Sequence, residues 1–240
     1  MNFHDEDYLF ENGYAPLTTN LFFLKSDFRS IADLSLSYFR SWAKGEWPVG
    51  SDLVGGGLEE LIRGLEPLRS SATRFLVVPT RSPWTAMFSN CRDGMEQSLP
   101  SVLARRLHCA FLRVVDAPGS DEVRRAPVAM PARMFNYVAD MSREDAASRD
   151  IELLVEDGWE FEERGSPLPG EDTSVYRARR LRDRFPHSQL RALCLLVGTR
   201  PFELDFYDPT SAGAIRLFKN LPDVEGDAVS LVQAQTRMRG

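Results

Sequence analysis

The sequence is poor in the residues on which many catalytic and metal sites depend. It contains 3 cysteines and 3 histidines among 240 residues, and the cysteines (Cys91, Cys109 and Cys194) are far apart. No Cys-x-x-Cys or Cys/His spacing typical of zinc occurs, so no zinc site is predicted. An odd number of dispersed cysteines favours small apolar thiols in a reducing compartment over a disulfide framework.

Long apolar runs and a secretion signal are also missing. No stretch approaches eighteen apolar residues, so no transmembrane helix is predicted. The first ten residues, MNFHDEDYLF, are acidic where a signal peptide carries positive charge before an apolar run. We therefore expect a cytoplasmic protein that does not enter a membrane.

Recognisable catalytic motifs are missing too. There is no G-x-S-x-G elbow, and the glycine run at 55–57 lacks the Gly-Lys-Ser/Thr ending of a phosphate-binding loop, so we interpret it as a flexible joint. The run at 4–7, His-Asp-Glu-Asp, contains ligand-type residues, but neighbours in an extended chain point in alternate directions. His108 adjoins Cys109 only in sequence. We predict neither a metal nor another cofactor.

The composition that remains favours a globular acidic protein. Apolar residues make up 43% of the chain, which includes 15 Phe and 4 Trp, and this composition supports a hydrophobic core. A net charge of −6 and a pI near 5.2 disfavour nucleic-acid binding and suit a basic partner. We divide the chain into an N-terminal arm (1–19), a single α+β domain (20–222) and a polar, poorly ordered C-terminal tail (223–240).

Sequence periodicity places helices and strands along this domain. Helical spacing predicts helices at 28–42, 58–68, 98–107, 173–185 and 188–197. Strand patterns predict strands at 21–24, 74–79, 83–90, 110–116, 134–138 and 202–208, with a loop at 117–127 and an amphipathic segment at 214–221. This order predicts an α+β fold, a mainly antiparallel twisted sheet with helices packed on one face, and fits a doubly wound parallel sheet less well.

The most informative segment is 151–164, IELLVEDGWEFEER. Nine acidic residues and one base lie between positions 150 and 172. A two-residue turn would mix acidic and apolar side chains on one face, whereas a three-residue loop ending at a left-handed Gly158 pairs Val155 with Trp159. Register follows the buried face, so we predict the second pairing. Its apolar face consists of Ile151, Leu153, Val155, Trp159 and Phe161.

The acidic side chains of this hairpin are the candidate functional residues. They are Glu152, Glu156, Asp157, Glu160 and Glu162. In the preferred register, Glu152, Glu160 and Glu162 share the outer face, and Glu152 opposes Glu162, which is mildly repulsive unless a cation lies between them. Acid–base catalysis would need carboxyls in unlike environments, which an exposed sheet face does not provide. Binding of a basic partner is the alternative.

A block of arginines follows the acidic segment. It contains Arg177, Arg179, Arg180, Arg182 and Arg184. These side chains could pair with the hairpin, grip a phosphate or carboxylate, or bind nucleic acid locally, although the acidic hairpin would oppose the last.

Four blocks carry a resemblance to a known class of protein. They are RFLVVPTRSPWTAMFSN (74–90), LARRLHCAFLRVVD (103–116), RDIELLVEDGWEFEERGSPLP (149–169) and YRARRLRDRF (176–185). With their Trp-bearing hairpin, helix, strands and DGW turn, they resemble bacterial immunity proteins that neutralise polymorphic or type VI-secreted toxins. The resemblance lies in the overall pattern and transfers no functional residue by position.

The resemblance implies a binding protein rather than an enzyme. An immunity protein covers its cognate toxin's active site, and acidic side chains suit a nuclease toxin whose surface is cationic. We therefore expect a basic, cytosol-acting toxin of the nuclease class as the partner, and leave a homodimer open. The alternatives are an enzyme that uses carboxylates of the 151–164 hairpin and a regulatory protein-interaction module.

Overall fold

A single antiparallel sheet organises the described part of the chain. The computed structural model describes residues 9–92, 94, 98–117, 132–155, 157–221 and 227–239. Its strands are β1 (Asn20–Leu24), β2 (Val49–Val54), β3 (Arg74–Pro79), β4 (Thr85–Ser89), β5 (Phe111–Ala117), β6 (Ala132–Val138), β7 (Ser148–Val155), β8 (Trp159–Gly165) and β9 (Ala214–Lys219). They lie in the order β2-β9-β3-β4-β1-β5-β6-β7-β8, and each neighbouring pair is antiparallel. The α+β class and the antiparallel sheet are confirmed.

Six α-helices accompany the sheet in the described residues. They are α1 (Phe28–Ala43), α2 (Leu58–Arg63), α3 (Ser98–Arg106), α4 (His187–Leu196), α5 (Pro209–Ala212) and α6 (Leu231–Arg239). Short 3-10 turns occur at Leu9–Asn12, Ser174–Arg177, Leu181–Asp183 and Leu204–Phe206. None of the helices in this part of the chain has the length and apolar character that crossing a bilayer requires.

The helices lie on both faces of the sheet, which corrects the expectation of a single helical face. Helices α1 and α3 pack against Phe22, Phe75 and Val77 on one side, called here the α1 face. Helices α2, α4 and α6 pack against Phe23 and Leu76 on the other, the α4 face. All five residues of β1 are buried, and a strand that is apolar on both sides needs cover on both.

Helix α1 begins where Asp27 accepts hydrogen bonds from the backbone N–H groups of Arg29 and Ser30, each 3.0 Å long. Its buried stripe includes Ile31 and Phe39. Trp42 continues the predicted spacing, yet it is 66% exposed, because the buried stripe continues from Phe39 to Ala43 and leaves Trp42 on the flank of the helix beside Tyr38.

The predicted register of the acidic hairpin is confirmed. Val155 pairs with Trp159, and Leu153 pairs with Phe161. Ile151, Leu153 and Val155 are buried, while Trp159 and Phe161 are partly buried against the same core. The left-handed conformation expected of Gly158 is wrong. The glycine with a left-handed backbone is Gly165, at φ +81°, where an added Cβ would overlap the Ser148 carbonyl oxygen.

Two predicted elements are wrong on the C-terminal side of the hairpin. The helix at 173–185 is instead a pair of 3-10 turns joined by irregular chain, in which Tyr176 and Phe185 are the buried side chains. The strand at 202–208 is a 3-10 turn that buries Phe206 and leaves Leu204 51% exposed. Helix α4 ends at Leu196, close to the predicted end of the 188–197 helix, and Gly198 with φ +82° follows two residues later.

Other segments also differ from expectation. The amphipathic segment at 214–221 contains β9, which lies between β2 and β3, and β2 itself was not predicted. The segment predicted as a poorly ordered tail includes α6, whose Leu231 and Ala234 are buried against the α4 face. Helix α2 is shorter than predicted, and the loop expected at 117–127 lies, beyond its first residue, outside the described residues.

Candidate partner-binding site

The outer face of β7 and β8 brings three of the predicted site residues together. Glu152, Glu160 and Glu162 point to the same side of the sheet, here called the acidic face. Glu160 and Glu162 are exposed, and Glu152 is partly buried. Asp157 is exposed in the connecting turn, and Glu156 lies outside the described residues. This face is on the α1 side of the sheet, at the end that α1 does not cover.

Hydrogen-bond donors on β6 and β8 reduce the electrostatic repulsion between the paired carboxylates of Glu152 and Glu162. Asn136 Nδ2 donates a 2.9 Å hydrogen bond to Glu152, and Arg164 donates through Nε and Nη2, at 3.0 and 2.6 Å, to Glu162. Burial lowers the pKa of Arg113 on β5, and the nearby Glu152 charge acts against this effect. The cation expected beside the opposed glutamates is therefore Arg164, which lies two residues from Glu162 on the same strand.

Asp150 is a carboxylate on this side of the sheet that sequence reasoning did not single out. It pairs across the strands with Asn136 on β6 and Arg164 on β8. Burial raises the pKa of Asp150, and the nearby Glu152 charge adds to the effect, against a hydrogen bond from Asn136. Asp150 lies two residues before Glu152 on the same strand, so both side chains point to the same side of the sheet.

The opposite face of the hairpin holds a buried ionic network. The side chain of Arg149 is only 2% exposed and donates to Glu171 and Glu163, with 2.6 Å bonds from Nη2 to each. Its Nη1 donates to the carbonyl oxygens of Arg164 and Gly165 at 3.3 and 3.2 Å. Most of its donors therefore have acceptors within the hairpin and the segment that follows it.

Glu171 ties the chain after the hairpin to this network. Its carboxylate accepts hydrogen bonds from the Tyr176 hydroxyl at 2.8 Å and the Leu168 N–H at 2.7 Å. Gln189 on α4 donates to the Tyr176 hydroxyl at 3.1 Å. The segment after β8 is therefore fixed to both the hairpin and α4.

A second buried cluster lies beside the first. Arg133 donates to Asp116 at 3.1 Å through Nε and to the Phe185 carbonyl at 2.7 Å through Nη1. His187 Nδ1 also contacts the Asp116 carboxylate, and its ring lies 4.7 Å from that of Phe202. These groups join β5, β6 and the start of α4, so we assign them to the scaffold.

The arginine block does not neutralise the acidic face. Arg177, Arg179, Arg180 and Arg182 are exposed. Within the described residues, none of the five forms an ion pair with a hairpin carboxylate; Arg182 lies 3.9 Å from Asp183, and Arg184 packs over the Phe161 ring. On the acidic face, Arg164 pairs with Glu162 and so offsets part of the negative charge of the three glutamates.

No protein-family model matches this chain. The curated proteins and the solved structures give no match either. The function of this chain is therefore inferred from the geometry of the described residues.

The other candidate chemistry is not assembled in the described residues. They contain no group of three or more His, Cys, Asp and Glu side chains arranged to hold a metal, and the run at 4–7 lies outside them. Cys109 is buried and His108 is exposed. Burial raises the pKa of the Cys109 thiol to about 11, which opposes its use as a nucleophile.

Proposed function

We propose that this protein is an immunity protein that binds a cognate bacterial toxin through the acidic face and covers the toxin's active site. The observation that carries the proposal is the placement of Glu152, Glu160 and Glu162 on one open side of the terminal hairpin. Their partners on that side, Asn136 and Arg164, offset only part of the charge. The toxin would be a basic, cytosol-acting protein, and a nuclease fits best.

Electrostatic complementarity on a rigid base supports this proposal. A nuclease must present a cationic surface to phosphates, and carboxylates spaced along paired strands offer a comparable row of negative charge. Because the buried Arg149 network fixes the other face of the hairpin, the backbone that carries the carboxylates need not be ordered on binding. A preorganised acidic surface favours fast association that weakens with salt.

The same geometry disfavours the catalytic alternative. Glu160 and Glu162 are exposed on a sheet face, where solvent keeps their environments alike. The recess formed by Arg191, Arg200 and Phe202 on α4 and the turn after it has an empty volume of about 170 Å³ and contains none of the hairpin carboxylates. It is also smaller than typical small-molecule sites.

A charge-reversal experiment tests the proposal. The double variant Glu160→Lys/Glu162→Lys should keep the fold, because both side chains are exposed and the Glu162–Arg164 pair is screened by solvent. Calorimetric titration with the purified product of a toxin gene adjacent to this gene should show binding to the wild type and a large loss with the variant. The matched control is Asp33→Lys/Glu46→Lys, which changes net charge equally at exposed positions on and after α1.

Two results would reject the proposal. One is the failure of the wild-type protein to bind any toxin encoded beside its gene. The other is equal loss of affinity in the hairpin variant and the α1 control, which would show a dependence on net charge alone.

A further inference from the structure

The two edges of the sheet differ in how they are protected. Edge strand β8 carries Glu160, Glu162, Glu163 and Arg164, and the 3-10 turn Leu181–Asp183 packs beside it. Edge strand β2 carries one charged residue, Asp52, which Arg216 on β9 holds at 3.0 Å. Natural sheets protect open edges with charge, cover or bulges, because unpaired N–H and C=O groups attract another strand. Strand β2 has little such protection among the described residues.

A large apolar side chain is exposed on this edge. Leu53 on β2 is 69% exposed. Leu53 pairs with Ile215 of β9, whose side chain packs on the α1 face, so Leu53 points to that face together with Val49 and Ser51. An open edge and an exposed apolar side chain thus occur on the same strand.

We propose that β2 pairs antiparallel with β2 of a second copy of this chain, about a two-fold axis at Ser51, to give one continuous sheet. A two-fold axis perpendicular to the sheet leaves the α1 face of both copies on the same side. Residues that face each other across the axis must therefore both be odd-numbered or both be even-numbered. With Ser51 opposite Ser51 of the other copy, Val49 faces Leu53 on the α1 face, and Gly50 faces Asp52 on the other. Leu53 then gains an apolar cross-strand partner on the α1 face.

Charge disfavours two competing arrangements. A register shifted to centre on Asp52 would place the two Asp52 carboxylates opposite each other, which is destabilising. Pairing β2 with β8 of another copy would bring Asp52 toward a strand with three glutamates, and such a head-to-tail contact would give a ring or an open filament instead of a two-fold dimer. The Ser51-centred pair opposes no like charges within the strand and closes as a dimer.

Disulfide trapping tests the register. Directly opposed antiparallel residues have Cα atoms about 4.5 to 5.5 Å apart, within the span of a disulfide. Ser51→Cys should therefore form a covalent dimer on a non-reducing gel after mild oxidation. The native cysteines are all buried and do not compete. The control is Leu53→Cys, whose two copies would lie about 14 Å apart along and across the strands and should not cross-link.

Sedimentation equilibrium tests the assembly itself. The wild type should approach twice the 27.1 kDa chain mass as concentration rises. Leu53→Lys should shift it to the monomer mass, while Val232→Lys, a change at a 70% exposed site on α6, should leave it dimeric. A wild type that stays monomeric at every concentration would overturn the proposal. So would equal cross-linking at positions 51 and 53, or a dimer that persists in Leu53→Lys.

Discussion

Arg149 and Glu171 form an ion pair in which both side chains are almost completely buried, at 2% and 0% exposure. Burial alone would lower the pKa of Arg149, but hydrogen bonds to Glu171 and Glu163 outweigh it and raise the pKa. Removing two charges from water is favourable only when their hydrogen-bonding capacity is well satisfied. Here the Tyr176 hydroxyl and the Leu168 N–H donate two further hydrogen bonds to the Glu171 carboxylate.

Replacement of Arg149 by Met should therefore lower the free energy of unfolding by roughly 3–5 kcal/mol, because it leaves a buried carboxylate without its cation. Arg164→Met is the matched control. Arg164 also lies 2.6 Å from its partner, Glu162, but both side chains are more than half exposed. We expect the control to lose far less stability, because solvent screens an exposed pair. Urea denaturation followed by tryptophan fluorescence measures both, and equal losses would contradict the role assigned to burial.

The glycines of the hairpin should respond differently to a methyl group. Gly165→Ala should destabilise the protein by more than about 1 kcal/mol, because Gly165 has φ +81° and its new Cβ would overlap the Ser148 carbonyl. Gly158→Ala should be neutral or slightly stabilising, since nothing lies within 4 Å of its Cβ position and its φ is outside the left-handed region. Thermal unfolding compares the two, and a larger loss at Gly158 would be inconsistent with this backbone.

The hairpin register could be predicted because its apolar residues, apart from Leu154, alternate with polar ones. A shift by one residue would have moved Leu153 and Val155 from the core to solvent, so the sequence contains a large energetic preference. The left-handed glycine could not be placed in the same way. Its position depends on the close approach of Ser148, a contact that exists only after β7 and β8 have paired.

In the segments that were predicted wrongly, the spacing of apolar residues does not determine the secondary structure. Between 173 and 185, helical spacing was present, but the chain is fixed by Tyr176 and Glu171 to a buried arginine in a different element. Strand β2 contains Gly50, Ser51 and Asp52, which are poor strand formers, and it forms because β9 offers an edge. Tertiary pairing decided these elements, and a single sequence shows that pairing only indirectly.

The half-buried carboxyl of Asp150 gives the unfolding free energy a defined pH dependence. Burial raises the pKa of Asp150 in the folded state. Its favourable contribution to the free energy of unfolding is therefore fully present at a pH below the carboxyl pKa of the unfolded chain. That contribution is lost as the pH rises through the pKa of the folded state. Asp150→Asn removes that loss, so the variant should gain stability relative to the wild type as pH rises from acid to neutral. Urea titrations at several pH values measure the difference.

Asp145→Asn provides a control of opposite sign. A hydrogen bond from Arg143 lowers the pKa of this exposed carboxyl, so its contribution is present at neutral pH and is lost on acidification. The variant should be slightly less stable than the wild type at neutral pH, with the difference vanishing in acid. A stability difference for Asp150→Asn that follows the same direction as this control would contradict the assigned environment.

Cys109 should be unreactive in the folded protein. Burial raises its thiol pKa to about 11 from the model-compound value of 9.0, so its thiolate fraction at pH 8 should fall about a hundred-fold. Since the thiolate is the nucleophile, iodoacetamide should modify native Cys109 at least about a hundred times more slowly than the unfolded chain. Peptide mass spectrometry after timed quenching reports the rate at this site.

The introduced thiol of Ser51→Cys supplies the comparison within one molecule. Under reducing conditions and at low concentration, this exposed edge-strand position should label at the rate of a free cysteine. Raising the pH from 8 to 10 should accelerate labelling of Cys109 more than labelling of the introduced thiol, because the exposed thiol approaches full ionisation sooner. If both sites labelled at the same rate at pH 8, the Cys109 thiol would have to be accessible and ionised in the folded state, and its place in the core beneath α3 would be wrong.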